Sequence, residues 1–109
     1  MPAHEGLVSP LILLDNISTD TSGRSVQIPN NGWYVIKIDG NLGSGAITLQ
    51  TKGHDKDTTW QNVPDPADIT NPYTLNEPTQ FRIYLGSGML VRAVLSNSSG
   101  ASGVYVRIF

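Results

Sequence analysis

The sequence predicts an all-β fold: a two-sheet antiparallel β-sandwich in a single domain, jelly-roll or immunoglobulin-like in topology. Three observations predict it. Short runs of Val, Ile, Leu, Thr and aromatic residues recur, each closed by a cluster of Gly, Asn, Asp, Ser or Pro. Within the runs, apolar and polar side chains alternate with the period of two that puts one face of a strand inside. No segment sustains a helical period, and no repeat of ~20–50 residues is present.

The elements follow in order. Residues 1–10 read as an N-terminal arm and residues 11–109 as the sandwich. Ser9-Pro10 opens the apolar run Leu11, Ile12, Leu13 and Leu14, and Pro is tolerated where a strand begins. The continuous run predicts a strand buried on both sides. A polar connection follows, then a short alternating strand over residues 25–28, then the turn Pro29-Asn30-Asn31-Gly32. In the strand over residues 33–39, Tyr34, Ile36 and Ile38 share the face assigned to the core; Trp33, Val35, Lys37 and Asp39 share the other. The loop from Gly40 to Gly45 leads to a strand with Ile47 and Leu49 inside. A short strand is expected around Trp60. Residues 64–79 contain Pro64, Pro66, Pro72 and Pro78 and read as an irregular stretch wrapping one edge, and long structureless loops are often functional.

Three further strands complete the chain, over residues 80–85, 89–96 and 103–109. Gly86-Ser87-Gly88 makes the tight turn between the first two. In each of these strands one arginine (Arg82, Arg92 or Arg107) marks the outward face, so Ile83, Ala93 and Val106 point inward. The predicted core is Ile36, Ile38, Ile47, Leu49, Ile83, Leu85, Leu95 and Val106. About seven or eight strands in a domain of this size fit a sandwich.

Composition narrows the function. The 109 residues are 39% hydrophobic but only 15% charged, against roughly 25% charged in ordinary soluble domains. Ser, Thr, Asn, Gln and Gly therefore carry the surface, which suits packing against another protein. The net charge is −2 and the seven basic residues are dispersed. Nucleic-acid binding needs a basic stripe that releases counterions, so no nucleic-acid partner is expected. There is no cysteine, which excludes disulfide stapling and zinc-thiolate sites. No run approaches the ~20 apolar residues of a membrane helix, and the start lacks a basic signal-peptide region. No membrane partner and no Sec export are expected.

The residues that could carry chemistry are sparse. Asp55 and Asp57 beside His54 resemble the start of a calcium loop, but the glycine and terminal glutamate that such a loop requires are missing. Asp65 and Asp68 sit in the proline-rich stretch and read as solvated turn residues. A hydrolase needs a nucleophile, a base and an orienting group, and the two histidines, His4 and His54, lie in the arm and in a turn. Gly40 to Gly45 has neither the lysine nor the helix of a phosphate cradle. A protein without enzymatic activity and without a cofactor or metal is expected. Trp33, Trp60, Tyr73 and Tyr84 could stack on a sugar ring, although sandwich cores use such residues routinely. The residues expected to make intermolecular contacts are Leu11, Ile12, Leu13 and Leu14 in the arm-proximal run, and Pro66, Pro72 and Tyr73 in the proline-rich stretch.

Several strings together carry a resemblance: Leu13-Leu14-Asp15-Asn16, Val26-Gln27-Ile28, Gly45-Ala46-Ile47-Thr48-Leu49-Gln50, Thr59-Trp60-Gln61-Asn62-Val63, and Phe81-Arg82-Ile83-Tyr84-Leu85 followed by Gly86-Ser87-Gly88-Met89-Leu90-Val91-Arg92-Ala93-Val94-Leu95-Ser96. In these the chain resembles small β-sandwich virion structural proteins of tailed bacteriophages, of the capsid decoration (cement) or head and tail appendage type. The resemblance implies a homo-oligomer bound to a major capsid protein or another virion structural protein. It also implies a location on the capsid surface or an appendage after synthesis in the host cytoplasm. A carbohydrate- or receptor-binding module of a virion appendage is the alternative.

Overall fold

The computed structural model describes residues 10–53 and 59–109. The expected arm lies outside the described residues, apart from Pro10. The chain runs through β1 (Leu11–Ile17), β2 (Thr21–Ser22), β3 (Val26–Gln27), β4 (Gly32–Asn41), β5 (Ala46–Lys52), β6 (Gln61–Asn62), β7 (Pro64–Asp65), β8 (Asp68–Pro72), β9 (Thr74–Leu75), β10 (Thr79–Leu85), β11 (Leu90–Ser96) and β12 (Ser102–Ile108). The extra strands, relative to the expected count, are two-residue pieces that share a sheet edge, together with a small ribbon of the two-residue β7 and the five-residue β8.

The first sheet has the order β1-β12-β4-β10. The second has β11 and β5 at its centre, β2 and β3 sharing one edge, and β6 and β9 sharing the other. All pairings are antiparallel. The order has a simple origin. Laid out as one long hairpin, the chain sets β1 beside β12, β2 and β3 beside β11, β4 beside β10, and β5 beside β6 and β9. Successive rungs then fall in alternate sheets. Winding the hairpin joins β12 to β4 and β11 to β5 and closes a jelly roll. This order decides between the two sandwich topologies that the sequence left open.

The core lies between the sheets. Tyr34, Ile36 and Ile38 of β4, Ile47 and Leu49 of β5, Val91, Ala93 and Leu95 of β11, and Val104, Val106 and Ile108 of β12 are all buried. The Tyr34 hydroxyl donates to the Asn30 carbonyl at 2.6 Å, which satisfies the one polar tip in this apolar layer. The predicted core is found as read, except at Ile83. That side chain faces inward but is only half-buried, packed against the margin of the core. The reason is positional: β10 is an edge strand, and beyond it the inner face lacks a covering neighbour.

Two other expectations are corrected. β1 is not buried on both sides: it is an edge strand, with Leu11 and Ile12 only half-buried. Its pairing passes from Ile12 opposite Arg107 to Leu14 opposite Val106, so Leu13 is an extra residue. Such a bulge breaks the alternation and lets Leu13 and Leu14 both turn inward, each 2% exposed. A second shift follows before Ile17, where Asn16 takes a φ of 55°. The stretch 64–79 is not irregular either. It folds into the β7–β8 ribbon and returns as β9 along β5. Asp68 fastens the ribbon, accepting from the Thr70 hydroxyl (2.6 Å), the Thr70 amide (3.1 Å) and the Asn71 side chain (2.8 Å).

Candidate functional site

Strand parity places the most distinctive surface of the molecule. In β4 the inward set Tyr34, Ile36 and Ile38 forces Trp33, Val35, Lys37 and Asp39 outward. In β10 the inward set Phe81, Ile83 and Leu85 forces Arg82 and Tyr84 outward. In β12 the buried Val104, Val106 and Ile108 force Tyr105 and Arg107 outward. The register then sets Tyr84 opposite Trp33, Arg82 opposite Val35, Arg107 opposite Lys37 and Tyr105 opposite Asp39. The outer face of the first sheet therefore collects aromatic and arginine side chains from three adjacent strands.

At the β10 corner, Trp33 and Tyr84 meet edge to face, with ring centroids 5.5 Å apart and planes at 81°. They are 55% and 56% exposed, among the most exposed large apolar side chains in the described structure. The Arg82 guanidinium lies 5.1 Å from the Trp33 ring. Further in, Arg107 donates to the Asp39 carboxylate at 2.9 Å and sits between Tyr105 and Phe109, 5.0 and 5.1 Å from the two rings. Its Nε is buried without a partner, so the guanidinium is held by the rings and by a single carboxylate.

A cleft of about 490 Å³ runs along the free edge of β10. The outward Trp33, Arg82 and Tyr84 and the inward Phe81 and Ile83 both reach it. Across it stand Gln61, Asn62 and Thr51 of the second sheet and Pro66 at the turn of the ribbon. Tyr73 closes one wall by packing edge to face on Phe81, at 5.1 Å. The Asn62 side-chain oxygen accepts from Gln50 at 3.0 Å, and the Gln50 oxygen in turn accepts from Arg92 at 2.8 Å. This relay fixes the Asn62 amide and leaves its NH₂ as a donor.

The expected contact residues separate. Pro66 and Tyr73 line the cleft, whereas Pro72 lies in β8 opposite Pro64. Leu13 and Leu14 are inside the core and Leu11 packs at its margin, three strands from the cleft. Ile12, opposite Arg107, lies on the outer face. Of the four aromatic residues weighed for stacking, Trp33, Tyr73 and Tyr84 reach the cleft. Trp60 instead lies under Arg92 and Lys52, 4.4 and 5.0 Å from its ring. His54, Asp55 and Asp57 lie outside the described residues. Asp65 accepts from the Ala67 amide at 2.8 Å and Asp68 from Thr70 and Asn71, so both serve the ribbon. Among the described residues no group of three metal-ligating side chains comes together. Thr51, Gln61, Asn62 and Phe81 are not marked as cleft residues by the sequence: Gln61 and Asn62 are polar residues of a two-residue edge strand, and Thr51 and Phe81 follow the ordinary alternation of longer strands.

Comparison of the chain with protein-family models, with curated proteins and with solved structures gives no match.

Proposed function

We propose that this chain is a non-enzymatic structural protein of a phage virion, a capsid cement or decoration protein that binds as a homo-oligomer and stabilises the shell by protein–protein contacts. The observation that carries the reading is the outer face of the first sheet. Tyr105, Arg107 and Phe109 there, continued by Ile12 and Val35, have the composition that distinguishes the cores of protein interfaces from ordinary surface. The ring-clamped Arg107 presents this patch in one fixed arrangement, so little side-chain entropy is lost on docking. The jelly roll is an architecture that capsid and lectin domains share, and the sequence patterns quoted above favour the first.

A cement protein binds the assembled lattice and not its separate subunits. It therefore stabilises the lattice by RT ln(1 + [L]/Kd) per site, about 2.7 kcal/mol at a hundredfold excess over Kd. The test is thermal release of contents from particles lacking the protein, before and after purified protein is added back. Wild-type protein is expected to raise the release temperature, and Tyr105→Asp, which places a charge in the patch, is expected to leave it unchanged. Equal release temperatures with and without wild-type protein would discard the cementing role.

A further inference from the structure

The cleft at the β10 edge has chemistry that shell cementing does not use. Its aromatic corner is exposed, and among the described residues its cation has no counter-charge. Arg82 touches the Trp33 ring, and among the described residues no carboxylate pairs with it. None of the described residues lining the cleft is acidic. A cleft of this volume falls within the usual range for small-ligand sites, about 300–1,000 Å³.

We propose that this cleft binds an acidic glycan, with a carboxylate-bearing pyranose as the recognised unit. The perpendicular rings of Trp33 and Tyr84 form a two-walled corner. One ring can lie flat against the C–H face of a sugar while the other borders it, as amphipathic aromatic faces do for ligands that are apolar on one side and wet on the other. The Asn62 NH₂, oriented through Gln50, and the side chain of Gln61 supply the fixed planar groups that hydrogen-bond hydroxyls. Arg82 supplies a guanidinium fork that matches a carboxylate in two parallel hydrogen bonds. One cation, with no second basic residue among the described residues of the cleft's lining, suits a single carboxylate and not a polyphosphate. The site shares the outer face of the first sheet with the Tyr105–Arg107 patch and adjoins it at Val35, opposite Arg82, but it uses different side chains and does not depend on the cementing role.

The 109-residue protein is titrated with sialyllactose and with trigalacturonate, two sources of the same chemistry. Lactose and maltotriose serve as neutral controls, and an acidic peptide as a protein-like competitor. Binding is read by calorimetry and by shifts of the Trp33 indole resonance. At least one acidic glycan is expected to bind, and more tightly than its neutral counterpart. Arg82→Gln is expected to weaken that binding by about ten- to a hundredfold, the size of a charge-assisted hydrogen bond, while leaving contacts to neutral sugar unchanged. Trp33→Ala removes the stacking wall and is expected to abolish both; Tyr84→Phe retains the wall and the binding. Trp33, Arg82 and Tyr84 are exposed, so these variants fold, which circular dichroism checks. The proposal is overturned if neutral and acidic sugars bind equally. It is equally overturned if acidic binding survives Arg82→Gln, if neither acidic glycan binds, or if only the peptide does.

Discussion

The two edges of the first sheet are built from similar apolar strands and end in opposite conditions. At the β1 edge a bulge turns Leu13 and Leu14 inward together, and the strand packs against β3 and β11 of the second sheet. That edge is the better filled of the two, with only a smaller recess of about 260 Å³ beside it. At the β10 edge the alternation is regular through seven paired positions. Yet Phe81 and Ile83 stay half-buried, because β10 packs chiefly on β4 and the facing strands β6 and β9 are two residues each. An irregular strand thus closes one side and a regular strand leaves the other open. Sealing depends on what the opposite sheet offers, and the cleft is the space that short opposing strands do not fill.

The sharpest way to break this comparison is to truncate one inward side chain at each edge. Leu14→Ala should destabilise by about 2–5 kcal/mol, the range for a fully buried leucine. Ile83→Ala should cost only about 1–2 kcal/mol, since half its surface transfer is already forgone. Denaturant midpoints measure both, and equal losses would mean that the β10 edge is as tightly sealed as β1. Glycines offer a second contrast. A Cβ on Gly23 would stand 2.3 Å from the Leu13 carbonyl oxygen and 2.9 Å from a Leu14 methyl, whereas on Gly86 its nearest neighbour is the Met89 sulfur at 3.4 Å. Gly23→Ala should therefore cost about 1–3 kcal/mol through forced repacking, and Gly86→Ala should stay within about 0.5 kcal/mol.

Smaller effects sharpen the picture at the surface. A double-mutant cycle on Trp33 and Tyr84 should return a coupling of about 0.5–1.5 kcal/mol for the edge-to-face contact, with each single variant leaving the fold intact. The smallest effect concerns acid. Asp20, in the β1–β2 loop, accepts from the Ser98 hydroxyl at 2.6 Å and the Ser98 amide at 2.9 Å. These two bonds hold its carboxyl below the ordinary carboxylate range. A carboxyl depressed in the folded state contributes stability above its unfolded pKa and loses it as pH falls through the lower, folded value. The Ser98 amide resonance should therefore move only at pH below the usual carboxylate midpoint, and Asp20→Asn should remove that step.

Much of the fold was legible in the chain because alternation reports directly on burial. Tyr34, Ile36, Ile38, Ile47, Leu49, Leu95 and Val106 were placed inside from parity alone. Parity also set Trp33 and Arg82 on the outer side. The bulge at Leu13 was hidden, since a run of four apolar residues reads identically whether it is buried on both sides or slips by one. The ribbon over 64–72 was hidden for a different reason. Its prolines argue against a central strand, but they are compatible with a free two-stranded ribbon whose order comes from Asp65 and Asp68 instead of from a core. The cleft was the least legible part. Trp33 and Tyr84 are far apart in the chain, and only the β4–β10 register brings them together.

The wound-hairpin path also dictates when the molecule can finish folding. β12 follows the other described strands in sequence, yet it lies between β1 and β4, and without it the first sheet is two unconnected pieces. A growing chain therefore exposes the inner faces of β1 and β4, with their Leu13, Leu14, Tyr34, Ile36 and Ile38, until the final strand slots between them. Pairings of such sequence separation form slowly, because loop closure precedes the contacts that reward it. Purified chains that stop before Ser102 should be protease-sensitive throughout, whereas chains that include Val104, Val106 and Ile108 should be protected as a unit.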